Sequence, residues 1–260
     1  MSLKIGITEH GDAALDMRWA YAGGLTGYDG AVLITKNITD RFIENVHSQN
    51  KPIIVHATCT GWGGTVIEPN VPDYKTQLNQ LKKLIDSGFP ASHCVLRIDP
   101  IFPTNPGLTR VRSVLDHFRD MNLGVDRIRV SIVDEYKHVK ARYKANGWTP
   151  IYGDNFGPSP DQIEAVATVL ESYYPMHFET CAENKLSATD APNIHSMGCI
   201  SFHDLDIMGI PYDGSQTFYE NPQNRHGCHC LSIKRELLGY QNRQPCAHNC
   251  VYCFWKRPGE

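Results

Sequence analysis

Short apolar runs alternate with amphipathic stretches from residue 4 to residue 181. Residues 4–8 (KIGIT), 31–34 (AVLI), 53–57 (IIVHA), 94–98 (CVLRI), 127–133 (RIRVSIV) and 176–181 (MHFETC) have strand length and lead into polar residues. Helical spacing predicts a helix over 40–49, with Phe42, Ile43 and Val46 on one face. Another is predicted over 73–87, with Leu78, Leu81, Leu84 and Ile85 on one stripe and Gly88 closing it. Further helices are predicted over 108–121, with Val111, Val114, Leu115 and Phe118 inward, and over 159–173, with Pro160 in the first turn. A helical stretch is also expected over 13–22, ended by Gly23 and Gly24.

Six strands alternating with helices indicate an α/β fold with a parallel sheet and right-handed crossovers. The runs are continuous rather than alternating, as in strands covered on both faces. An open doubly wound sheet and a barrel-like arc both fit this pattern. No GxGxxG follows a strand and no GxxxxGK[ST] occurs, which weakens the nucleotide-binding folds. A partial (β/α)6 TIM-like barrel is therefore the expected form. In either architecture a binding site belongs at the carboxyl ends of the strands. Lys36, Asn37, Thr58, Arg97, Asp99, Ser131, Glu179 and Glu183 stand there, a polar ring that reads as a site when taken as a set.

Composition adds limits. The chain has 260 residues, 41% hydrophobic and 20% charged, which is globular and long enough to bury a full core. A mean hydropathy of -0.36 and the lack of an 18-residue apolar run argue against a membrane-spanning helix and a membrane partner. The start, MSLKIGITEHGD, has no apolar stretch of signal length, so a cytoplasmic location is expected. The net charge of -3 makes no global demand for nucleic acid.

The cysteines change the picture. Of nine, seven lie in the last 80 residues: Cys181, Cys199, Cys228, Cys230, Cys246, Cys250 and Cys253. An odd number without a secretion signal points to metal or redox ligands rather than disulfides. The asymmetry sets a body, 1–183, against a cysteine-rich cluster-binding segment, 184–260, of one domain. Cys246, Cys250 and Cys253 form CxxxCxxC, whose three soft thiolates suit zinc or an iron–sulfur cluster. Four ligands close a structural zinc site and three leave a position open. His248 or an upstream cysteine is the candidate fourth zinc ligand. Tyr252, Phe254 and Trp255 would shield a cluster from water. Outside the motif, Cys181, Cys199, Cys228 and Cys230 make four thiols. That is the number for a second [4Fe–4S] cluster or a structural zinc, although Cys181 or Cys199 could equally be merely buried. Cys59 and Cys94 lie on or beside buried strands and read as core.

CxxxCxxC with an aromatic residue before its last cysteine resembles the signature of radical S-adenosylmethionine (SAM) enzymes. The motif stands at the C-terminal end here, whereas most of that superfamily carries it after the first strand. One radical-SAM-like family, a domain of unknown function, is similar in having this reversed order. The resemblance is carried by LITKN (33–37), TCTGWGGTVIEPNVP (58–72), LRIDPIF (96–102), RVSIVDEY (129–136), ETCAE (179–183), GCI (198–200), QNRHGCHC (223–230) and CAHNCVYC (246–253). It departs at ITEHGDAALD near the N-terminus. The resemblance implies a [4Fe–4S] cluster on Cys246, Cys250 and Cys253, SAM chelated to the unique iron, and an external electron donor such as flavodoxin or ferredoxin. It also implies a partial (β/α)6 barrel and a 5′-deoxyadenosyl radical that removes a substrate hydrogen. SAM's carboxylate, amino group and ribose want polar partners, for which Lys36, Asn37, Thr58, Arg97, Asp99, Ser131 and the motif residue Tyr252 are the candidates.

Residues 221–260 hold six cations (Arg225, Lys234, Arg235, Arg243, Lys256, Arg257) against Glu236 and Glu260, a net charge of +4. A basic tail next to the cluster suits an anionic substrate or a solvated surface. Tyr212, Phe218, Tyr219, Tyr240, Tyr252, Phe254 and Trp255 could stack a base or pack the tail onto the body. Cluster chemistry similar to that of spore photoproduct lyase implies a nucleobase, nucleoside or DNA substrate. The expected reaction is an isomerisation of a modified thymidine, of the phage hypermodification kind, with a duplex base extruded. The alternative is a non-catalytic iron–sulfur or zinc module serving electron transfer or assembly. A metal-dependent barrel hydrolase lacks its usual HxH on the first strand.

Overall fold

The computed structural model describes residues 3–21, 23–218, 228–239 and 245–256. Each expected apolar run is a strand: β1 (Ile5–Ile7), β2 (Gly30–Thr35), β3 (Ile53–Thr58), β4 (Cys94–Ile101), β5 (Arg127–Ile132) and β6 (Phe178–Thr180). Among the described residues the sheet holds eight strands rather than six. The two others, β7 (Ile194–Ser196) and β8 (Lys234–Glu236), are three residues long and mostly polar, so no apolar run announces them. They exist because a sheet edge offers them hydrogen-bonding partners.

All neighbouring strands are parallel, in the order β7-β6-β5-β4-β3-β2-β1-β8. Seven strands follow chain order across the sheet, and β8 returns beside β1 at the opposite edge. The chain after β7 nevertheless touches the chain before β8. Leu231 donates its N–H to the Ile200 carbonyl at 2.9 Å. A Cβ on Gly198 would lie 2.3 Å from the His229 carbonyl oxygen, so only glycine permits this approach.

The periodic helices form as α1 (Asp40–His47), α2 (Tyr74–Asp86) and α3 (Asn105–Met121), followed after β5 by α4 (Lys137–Ala145) and α5 (Pro160–Glu171). Asp73 caps α2 by accepting the N–H groups of Lys75 and Thr76, and Ser159 with Gln162 forms a capping box on α5. The basic helix α4 was not foreseen, since it buries only Val139 and Tyr143. Neither were the short helices α6 (Asn184–Ser187) and α7 (Phe202–Met208). The expected helix over 13–22 is instead a bend with one 3-10 turn, Met17–Ala20. There the Asp12 carboxylate accepts the N–H groups of Ala14 and Leu15, and Asp16 accepts that of Arg18. These local bonds compete with a helical ladder.

Alternation sends side chains to two faces. Leu33, Val55, Leu96, Val130 and Phe178 join Phe42, Leu78, Val111 and Ile163 in the larger core, under the helices. On the opposite face, Ile5, Ile7, Val32, Ile54 and Val95 pack against Leu205 and Met208 of α7. That face also carries buried charge. Arg127 bridges both oxygens of Glu179 at 2.7 and 3.1 Å and reaches Asp204 of α7 at 2.9 Å. Arg129 adds a 2.6 Å bond to Glu179. Asp204 also accepts the N–H and hydroxyl of Ser201, capping α7. One network thus ties β5, β6 and α7. Among the described residues, no helix is long and apolar enough to cross a membrane.

Burial opposes the charge on Glu179, but the two guanidiniums outweigh it and hold the carboxyl down from 4.5 to about 2. Its stabilising effect is therefore complete above pH 4.5 and is lost as pH falls through that window towards 2. Glu179→Gln leaves two buried arginines undercompensated and is expected to cost about 3–5 kcal/mol at neutral pH. Urea unfolding at pH 7 and pH 3 checks this: the gap between variant and wild type should narrow at the lower pH.

Candidate functional site

The carboxyl ends of β2 to β5 and the segment 246–253 enclose a compact set of buried charges. Lys36 follows β2 and its ammonium bonds Glu68 Oε1 at 2.9 Å. The Tyr252 hydroxyl donates to the same oxygen, while Glu68 Oε2 is buried with no hydrogen-bond partner. Lys36 also lies 5.7 Å from the centre of the Tyr252 ring. Burial works against the charge on Lys36, but Glu68 and the neighbouring Cys250 raise its pKa above the ordinary lysine value. Burial likewise opposes the charge on Glu68, and Lys36 and Tyr252 more than offset it. Burial first, then Glu68, pushes the Tyr252 hydroxyl well up, so it stays a donor.

Next to this pair, His248 joins the motif to the body. Its Nε2 bonds Asp12 at 2.9 Å and its Nδ1 bonds the Asn70 carbonyl at 3.2 Å. Two acceptors require both ring nitrogens to donate. Both nitrogens are thus engaged away from the thiols, and His248 is not placed as a fourth metal ligand. Asp12 in turn accepts the Thr35 hydroxyl and the Lys36 N–H, fixing the start of the Lys36 loop.

The motif is held by backbone contacts. Val251 donates to the Ile67 carbonyl at 3.0 Å, Asn70 donates to the Ala247 carbonyl at 2.7 Å, and Arg142 of α4 bonds the carbonyls of Val251 and Cys253. Asn249 sits in the left-handed region (φ 55°), turning the chain between Cys246 and Cys250. Cys250 is buried, and Cys246 and Cys253 are half-buried. Phe102 packs edge-on against Tyr252, Phe254 stacks on Tyr136, and Trp255 lies 3.9 Å from His10. These three tail aromatics pack the tail onto the body.

The other strand-end candidates divide. Arg97 bonds Asp99, whose second oxygen accepts the Ser131 hydroxyl. Asp99 feels Lys36 and Arg97 feels Cys199, so this triad lies between the two cysteine groups. Asn37 turns away, accepting a bond from Gln80 of α2 at 2.8 Å, so it is not part of this set. The side chain of Thr58 is buried with its hydroxyl unpartnered. Glu183 is taken up by the backbone N–H of Ile132.

Among the described residues, one set of metal-ligating side chains brings its donor atoms within 4.8 Å of one another: Cys181, Cys228 and Cys230. This cysteine group has the composition to hold a metal ion. The motif thiols stand farther apart. That spacing does not count against a cubane, in which each thiolate serves a different iron. Cys59 and Cys94 are buried in the core, as expected.

The basic tail is only partly visible: Arg225, Arg243, Arg257, Glu260, Tyr219 and Tyr240 lie outside the described residues. Lys234 pairs with Glu9 at 2.6 Å. Sequence reasoning did not single out Asp12, Glu68 or His56. Glu68 lies in the 58–72 segment quoted for the resemblance, and its pairing across 184 residues has no local signal. His56 is wholly buried in β3 with both ring nitrogens unpartnered.

No curated protein matches this chain. A family model does match, over residues 25–255, and those bounds take in every segment from 33–37 to 246–253 while leaving out ITEHGD. The chain therefore belongs to the family described as a domain of unknown function, DUF1848.

Proposed function

We propose that this protein is a radical SAM enzyme, with a [4Fe–4S] cluster on Cys246, Cys250 and Cys253. The observation that carries the reading is three cysteines held beside the Lys36–Glu68 pair, with one buried Glu68 oxygen unpartnered. The donor set fits the cluster: three thiols, one buried and two half-buried, with Cys250 and Cys253 packed in one cluster with Phe102, Tyr252 and Phe254. When held by Cys246, Cys250 and Cys253, such a cluster would supply the one-electron reduction, drawn from an external donor, that cleaves SAM to methionine and a 5′-deoxyadenosyl radical. Lys36 is a donor for the methionine carboxylate and Glu68 Oε2 an acceptor for its ammonium, a matched pair for a zwitterion. Arg97, Asp99 and Ser131 offer polar groups farther along the strand ends. Tyr252 and Phe254 share one apolar cluster with Cys250 and Cys253.

The sheet order supports a barrel-like closure within this proposal. Strands that follow chain order, with β8 returning beside β1, are arranged as in a sheet curled on itself, and the 198–200 and 229–231 segments meet at the seam. The tail then belongs to one catalytic unit with the body, since it supplies β8 and covers the strand ends.

For the substrate, a nucleobase of a modified thymidine or of DNA remains our proposal, supported by the tail charge and by an aromatic groove. Trp62, Ile67, Phe102, Tyr143, Trp148 and Ile151 line that groove, next to the ring of Tyr252. Its rings suit base stacking. Tyr212 and Phe218 are the exposed aromatics of the described tail.

Anaerobically reconstituted and reduced protein is expected to release 5′-deoxyadenosine from SAM, and Cys250→Ala to release none. Protein that binds only zinc and yields no 5′-deoxyadenosine would make it a binding module instead. Glu68→Gln should keep its cluster iron but bind SAM roughly ten- to a hundredfold more weakly, read by equilibrium dialysis. Deuterated thymidine derivatives, free and in DNA, should pass deuterium to 5′-deoxyadenosine if a thymine-type base is the substrate.

A further inference from the structure

We propose that Cys181, Cys199, Cys228 and Cys230 form a closed, single-ion zinc site that staples the two free edges of the sheet together. The proposal does not rest on radical SAM chemistry. Cys181 follows β6, Cys199 follows β7, and Cys228 and Cys230 precede β8. The strands at the two edges, β7 and β8, are not neighbours in the sheet. A metal bound here would join the edges where no strand ladder does.

Four observations support a single ion. The Cys181 and Cys230 sulfurs are 3.7 Å apart. Thiolates at 2.3 Å from one tetrahedral zinc stand ~3.8 Å apart. Thiolates on separate irons of a cubane stand wider, so the spacing selects one ion over a second iron–sulfur cluster. Secondly, Cys181 interacts with Cys199 and lies within 4.8 Å of Cys228 and Cys230, which brings a fourth thiol to the group. Cys199 lies outside the tight set of three, and the proposal requires its thiol to close on the others when the ion binds. Thirdly, the Cys199 N–H already donates to the Cys230 sulfur at 3.1 Å, the kind of bond that steadies a metal-bound thiolate. Fourthly, Gly198 allows the 198–200 and 229–231 segments to approach within a distance that any side chain would block. The cations Arg97, Arg129 and Lys234 lie near Cys199, and Lys234 lies near Cys230 as well. Cys230 is wholly buried and Cys199 nearly so, while Cys181 and Cys228 are half-buried.

The test uses the full chain with Cys246, Cys250 and Cys253 all replaced by Ala, which removes the other cysteine site. Isolated from medium with iron and zinc, it should hold about one zinc per chain by elemental analysis. Adding Cys199→Ser should lower retained zinc to below about a tenth per chain after chelator dialysis. Cobalt(II) added to metal-free protein should give the visible bands of a tetrahedral tetrathiolate, and a shifted, weaker set with Cys199→Ser. The cobalt spectrum keeps the test decisive if the serine variant folds poorly. Iron with labile sulfide at these cysteines would overturn the proposal, as would a Cys181–Cys230 disulfide. So would metal-free protein whose four thiols all react with a thiol reagent in the native state.

Discussion

Charge buried between a parallel sheet and its covering elements must be paired, and much of this molecule follows from that requirement. Arg127 and Arg129 leave β5 on the same face, where alternation gives them no route to solvent. Glu179 answers both from the neighbouring strand, and Asp204 answers Arg127 from α7. Asp204 can do so because the turn at Ser201 starts the short helix α7, which packs on this face. The helix therefore owes its position to a salt bridge as much as to Leu205 and Met208. The same face continues into Arg97, Asp99 and Ser131, so the network that secures the fold shares a sheet face with the proposed site.

The proposed site is assembled from distant pieces of chain held by a few strong contacts. Asp12 orders the Lys36 loop and grips His248, which anchors the motif from within. Glu68 gathers Lys36 and Tyr252 on one oxygen and leaves the other without a partner. An acceptor kept dry and unpaired is costly for stability. A ligand that brings a positive group would recover that cost on binding. The two cysteine groups flank the strand-end triad, with Cys250 beside Lys36 and Cys199 on the side of Arg97. Metal at either position would therefore act on the charges of Lys36 and of the strand-end triad.

Apolar periodicity was enough for β1 to β6 and for α1, α2, α3 and α5, because their buried faces are written in consecutive residues. It failed for 13–22, where Asp12 and Asp16 draw backbone N–H groups into local bonds. It also missed α4, β7 and β8, which are short or polar and form only against elements already in place. Cys246, Cys250 and Cys253 were legible because metal-ligand spacing is local. Lys36, Arg97, Asp99 and Ser131 were legible as strand-end polar residues, but Asn37 shared that position and faces α2 instead.

The sequence by itself determined the alternation of strand and helix, the parallel sheet, the cysteine asymmetry and the motif. Each is set by residue type and by spacing within one element. Only the tertiary structure decided that β8 returns beside β1, that Glu68 meets Tyr252, that His248 is held by Asp12 and Asn70, and that Cys181 reaches Cys230. Those pairings join residues 49 to 236 positions apart. No local pattern encodes them, because they are selected by which buried charges and edges can satisfy one another once the sheet has formed.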